Sequence, residues 1–163
     1  MTERLMPARK LYGMTGQRMI TSLLAENQRP PRALAAGERY LGSFIIPTFQ
    51  RGLVWSEAQK VRLIESIYIG LPIGSLVCNS RYDCPCDGWL LDGQQRMTTI
   101  VGYGAGEFPV QGWRFPDLPK KEQAHFLRMG ILLIETQIDN EAECRDIYDR
   151  LVYGGTPHTE AVP

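Results

Sequence analysis

The feature that most constrains this chain is a short apolar run that turns on a glycine into a helix. Trp89-Leu90-Leu91 delivers Asp92, Gly93 makes the turn, and Gln94-Gln95-Arg96 open a helix-like segment, Met97-Thr98-Thr99-Ile100-Val101. A strand that presents a carboxylate, bends on glycine and opens a helix forms an anion site. The first backbone N–H groups of a helix have no internal acceptors and point at whatever lies there. Arg96 adds a planar fork of donors suited to phosphate, and Asp92 suits metal binding or proton acceptance. The plain alternative is a corner whose polar residues only cap the helix.

A second stretch argues for chemistry. Ile46-Pro47-Thr48-Phe49-Gln50-Arg51-Gly52-Leu53-Val54-Trp55 is followed by Gln59, by Leu63-Ile64-Glu65-Ser66-Ile67 and by Gly70-Leu71-Pro72-Ile73-Gly74. Together with Asp92-Gly93-Gln94-Gln95-Arg96, this order resembles the DUF262 family, a branch of the ParB/sulfiredoxin-like superfamily. The resemblance runs from about residue 45 to residue 160. Near its end, Tyr148-Asp149-Arg150-Leu151-Val152-Tyr153-Gly154-Gly155-Thr156-Pro157-His158-Thr159 is similar to a family segment that usually has asparagine where Val152 stands. The fold implied is α+β, a ParB/sulfiredoxin-like domain with a small mixed sheet flanked by helices. Residues 1–40 read as an N-terminal helix and basic arm, and 41–163 as the nucleotide-binding catalytic domain.

Size, charge and local pattern narrow this further. A chain of 163 residues with 44% hydrophobic side chains can bury one genuine core. Its eighteen basic and eighteen acidic residues cancel, so no global basic field serves nucleic acid. The arm is nevertheless skewed, with Arg4, Arg9, Lys10, Arg18, Arg29, Arg32 and Arg39 against Glu3, Glu26 and Glu38. No apolar run reaches the roughly 18 residues of a membrane span and no export signal is present, so a cytoplasmic protein is expected. Cys78, Cys84, Cys86 and Cys144 are then reduced thiols by default. Cys84-Pro85-Cys86 is too tight for the usual zinc knuckle and reads as a hairpin tip with incidental thiols.

Periodicity predicts helices over residues 16–26, 56–69, 94–103, 119–129 and 141–153, with Ser56 and Gln59 forming a capping box. Strands are predicted over 40–46, 73–79, 88–91 and 131–138. The glycine-, proline- and aromatic-rich stretch 104–119 reads as a short hairpin or a substrate-side loop holding Phe108, Trp113 and Phe115.

The resemblance implies a nucleotide held by a loop-to-helix cradle at Gly93, Gln94, Gln95 and Arg96, with Gln50 and Thr98 beside it. ATP or GTP with Mg2+ is the implied cofactor set, and Asp92 the metal ligand. Arg51 is expected as a second cation at the transferring phosphoryl group, and Glu65 as a further catalytic carboxylate. Trp113, Phe115 and His158 are expected to contact substrate. Some superfamily kinases have histidines where Gln94 and Gln95 stand, so no imidazole role transfers to this box.

Two activities follow. DUF262 modules are commonly the nucleotide-hydrolysing part of modification-dependent restriction systems, whose nuclease uses a His-Asn-His metal site. With His125 and His158 its only histidines, the chain is expected to lack that nuclease and to act alone or with a protein partner. The preferred expectation is a compact bacteriophage-type kinase that phosphorylates the hydroxymethyl group of 5-hydroxymethyluracil in DNA. The restriction-system hydrolase is the alternative. A nucleotide-switched DNA clamp ranks third, because no helix-turn-helix is evident. Sulfiredoxin-like repair would need a cysteine in the phosphate box, and none is there.

Overall fold

The computed structural model describes residues 13–25 and 33–153. In chain order its elements are β1 (Met14–Met19), α1 (Ile20–Leu24), β2 (Arg39–Leu41), β3 (Phe44–Ile46), α2 (Glu57–Tyr68), β4 (Leu76–Asn79), β5 (Leu90–Asp92), α3 (Gln94–Gly104), α4 (Lys120–Arg128), β6 (Gly130–Thr136) and α5 (Glu141–Tyr153). One 3-10 turn, Phe115–Asp117, precedes α4. The main sheet has the order β1-β6-β4-β5. It is mixed: β6 runs antiparallel to β1 and parallel to β4, while β4 and β5 are antiparallel. The hairpin β2–β3 joins its edge through an Ile45–Trp89 bridge. The α+β class and the mixed sheet flanked by helices agree with the expected fold.

Strand side chains alternate between faces, so a strand covered on both sides reads as unbroken apolar sequence. That is what the centre of this sheet does. Leu76, Cys78, Leu90, Ile131 and Leu133 enter a core with Ile64 and Ile67 of α2, Met97, Ile100 and Tyr103 of α3 and Phe126 of α4. Val77 and Leu91 face the other way, into a smaller core with Ile45, Trp89, Ile138, and Cys144 and Ile147 of α5. Helices therefore pack on both faces.

The capping box forms as predicted: the Ser56 hydroxyl accepts from the Gln59 amide, and the Gln59 side chain accepts from the Ser56 amide at 2.8 Å. Two segments differ from expectation. The helix expected over 16–26 is, within the described residues, only Ile20–Leu24, where Ile20 and Leu23 are buried and Leu24 packs against the core. The preceding Met14–Met19 is exposed throughout and pairs along β6 instead, a sheet edge overriding a weak local helical pattern. The 40–46 strand is two short strands around a turn at Gly42, whose φ is 57°.

The cysteine loop joins the antiparallel strands β4 and β5, as a hairpin connection should, and its thiols are packed inside. Cys84 and Cys86 are buried with Cys144, and Asn79, wholly buried, ties the loop down. The Asn79 amide donates to the carbonyls of Cys86 (3.2 Å) and Ile138 (3.0 Å), and its oxygen accepts from the Ile138 amide (2.8 Å) and the Thr136 hydroxyl (3.0 Å). Burial pushes the Cys84 thiol up to about 11. Among the described residues no helix is long and apolar enough to cross a membrane.

Candidate functional site

The corner between β5 and α3 is built as the sequence implies. Gly93 caps α3 with φ 99°, in the left-handed region that glycine adopts without a steric cost. A Cβ there would sit 2.3 Å from Leu76 Cδ2, so the corner also presses against β4. Gly93 to Arg96, the cap and first turn of the 11-residue α3, line a cleft of about 130 Å³. Gln50, Arg51, Trp55, Asp92, Gln95 and Tyr148 are among its lining residues.

Each polar side chain there is placed by identifiable contacts. Arg96 Nη2 donates to Asp92 Oδ2 at 2.7 Å and to the Ser75 carbonyl at 2.7 Å, one helical turn holding the carboxylate in place. Arg96 Nε is buried without a hydrogen-bond partner among the described residues, as is the Thr98 hydroxyl. Gln95 reaches across to residues 52–55: its Nε2 donates to the Gly52 carbonyl (3.1 Å), and its Oε1 accepts from the amides of Val54 (3.3 Å) and Trp55 (3.4 Å). Gln50 Nε2 donates to the Leu90 carbonyl, pinning the 47–51 turn to β5. With its amide oriented to satisfy all partners, Gln94 donates to Gln50 Oε1 (3.0 Å) and the Arg51 carbonyl (3.1 Å) and accepts from Arg39 Nη2 (2.8 Å).

Arg51 differs from these. Its amide donates to the Tyr148 hydroxyl at 3.0 Å, but its guanidinium has no hydrogen bond among the described residues and is exposed. Burial pushes the Tyr148 phenol above its ordinary pKa, and the Arg51 amide works against that shift. Phe49 packs edge-on against both Trp89 and Tyr148, at centroid distances of 5.5 and 5.3 Å. The aromatic trio fixes the turn that carries Arg51.

Residues 33–161 match the family described as GmrSD restriction endonuclease, N-terminal domain. The chain belongs to this family. The match spans most of the 163 residues and agrees with the DUF262 resemblance. No curated protein and no solved structure matches significantly.

In this member, the two sequence boxes meet in one cleft, which brings Gln50, Arg51, Asp92, Gly93, Gln94, Gln95 and Arg96 together. Thr98 follows within the first two turns of α3. Three residues expected with them are elsewhere. Glu65 lies near the far end of α2, where it accepts from Gln111 Nε2 and lines a separate cleft with Trp113. Phe115 is buried in the core against Tyr103 and Phe126, at 5.6 and 5.4 Å, and offers no face to a substrate. His158 is outside the described residues, as are Arg4, Arg9, Lys10, Arg29 and Arg32 of the basic arm. Tyr148 and Trp55 stand in the quoted motifs and Arg39 in the basic arm, but none of the three was expected at this cleft, because their contacts join segments far apart in the chain.

Proposed function

We propose that this chain binds a nucleoside triphosphate in the β5–α3 cleft and hydrolyses it as the nucleotide-using part of a restriction system acting on DNA. The observation that carries the reading is the corner itself. A glycine in the left-handed region turns a strand into a helix whose cap and first turn line a cleft, and the Arg51 guanidinium beside it makes no hydrogen bond among the described residues. Phosphoryl transfer asks mainly for positioning and charge neutralisation, which such a corner provides. The family description supports a restriction role and favours hydrolysis over the DNA-kinase reading.

In this reading the amides of Gln94 to Arg96 cradle phosphate oxygens, and Arg51 swings onto the phosphoryl group that leaves. Arg96 is committed to Asp92 and Ser75, so its part is to orient Asp92. In this reading a divalent cation sits beside Asp92. Mg2+ usually takes one or two carboxylates and completes its shell with phosphate and water. Asp92 supplies such a carboxylate, with Oδ2 fixed by Arg96. Bound there, the ion would neutralise charge on the phosphate oxygens. Gln95 and Gln50 hold the flanking turns, and Trp55 and Tyr148 give the cleft its aromatic walls.

The test is to incubate the chain with γ-labelled ATP or GTP, magnesium, and DNA carrying thymine or 5-hydroxymethyluracil. Phosphate release without labelled DNA, lost in Arg51→Ala, is the expected result. Label on the hydroxymethylated DNA alone would replace hydrolysis with the kinase. No turnover of either nucleotide would overturn both readings.

A further inference from the structure

A second cleft, of about 380 Å³, lies where α2 and α3 end, and it has the opposite chemistry. Glu65, Tyr68 and Ile69 come from the last turn of α2 and its cap, and Tyr103 from the last turn of α3. Trp113 and Glu122 close the other sides. Among the described residues the lining contains two carboxylates and no basic side chain. Trp113 is 56% exposed and Ile69 71% exposed, so large apolar faces stand open beside the charges.

The wall is held in shape by an uncommon turn. Val110 and Trp113 exchange backbone hydrogen bonds of 2.9 Å around Gln111 and Gly112. Both central residues have positive φ, 49° and 81°. Glycine adopts this readily and glutamine rarely. The Gln111 side chain reaches Glu65 Oε1, so the carboxylate and the hairpin that presents Trp113 fix one another. Tyr68 and Tyr103 form the floor, their hydroxyls 3.3 Å apart.

We propose that this cleft takes the guanidinium of an arginine presented by a protein partner. Two carboxylates attract a cation and repel the phosphates of DNA. The C-terminal ends of α2 and α3 add partial negative charge at the same place, while Glu122 offsets the positive end of α4. A guanidinium is planar and weakly hydrated, and it stacks on an indole face better than an ammonium does. The aliphatic stem of arginine covers the apolar rim at Ile69. This occupant goes beyond nucleotide turnover and does not depend on it.

The test is an NMR titration of the isotope-labelled chain with N-acetyl-arginine amide and with N-acetyl-citrulline amide, which keeps the shape and lacks the charge. The indole N–H signal of Trp113, assigned by its loss in Trp113→Phe, is the readout. Arginine amide should move that signal, and citrulline amide should bind at least about tenfold more weakly. Glu122→Gln, at an exposed position, should weaken arginine binding several-fold, as should Glu65→Gln. An unmoved signal, equal response to both amides, or a stronger response to thymidine 5′-monophosphate would overturn the proposal.

Discussion

The two clefts lie at opposite ends of the same pair of helices. Trp55, just before α2, is bonded to Gln95 in the first turn of α3, and Tyr68 at the end of α2 is bonded to Tyr103 at the end of α3. The helices therefore run parallel, and their dipoles add rather than cancel. At the N-terminal end the side chains are polar and interlocked around backbone amides. At the C-terminal end they are aromatic and acidic around an open apolar floor. One piece of secondary structure thus makes one end suited to anions and the other to cations, before any side chain is counted.

The comparison breaks first at Arg51. Arg51→Ala should lower phosphate release by about 100- to 1000-fold, the scale of one lost transition-state donor. Its melting temperature should hardly change, because the guanidinium makes no hydrogen bond among the described residues. An unchanged rate would take the polar cleft out of the chemistry.

Next come two of the left-handed glycines, one at each end. Gly93→Ala combines an unfavourable φ with a 2.3 Å approach to Leu76, and should cost on the order of 2–4 kcal/mol in denaturant unfolding. Gly112→Ala meets nothing within 4 Å and should cost only the backbone term, about 1–2 kcal/mol. Equal losses would mean that the β5–α3 corner is looser than its packing against β4 implies.

Gln95→Ala removes three hydrogen bonds to residues 52–55 and should destabilise the chain by about 1–2 kcal/mol while raising KM for nucleotide. The smallest expected effect is at the start of α2. Ser56→Ala should lose about 1 kcal/mol of capping, seen as a modest fall in Tm with binding at the aromatic end intact.

What could be read in the sequence was mostly local. Helix α2 announced itself through Ser56 and Gln59, and the β5–α3 corner through Gly93, because capping and turn chemistry act within a few residues. The meeting of the two boxes was legible only through the family resemblance. Strand β1 was misread because its reason for being extended is β6, more than a hundred residues away. Glu65 was misplaced for a geometrical reason. The motif order says that α2 starts beside Arg51, but not which end or flank of the helix reaches the cleft. Nine positions into α2, Glu65 is roughly 12 Å along the axis from its start. Tyr148 escaped notice because its hydrogen bond to the Arg51 amide spans 97 positions of chain.

The burial of the cysteine loop has a practical consequence. All four cysteines, Cys78, Cys84, Cys86 and Cys144, are buried, and the Cys84 thiol is held protonated up to about pH 11. Thiolate is the reactive form, so alkylating reagents at neutral pH meet a slow background from the folded chain. A cysteine introduced on the rim of either cleft would therefore outpace the native four in labelling. Spectroscopic probes can be attached at both ends of the helix pair without first removing a native thiol.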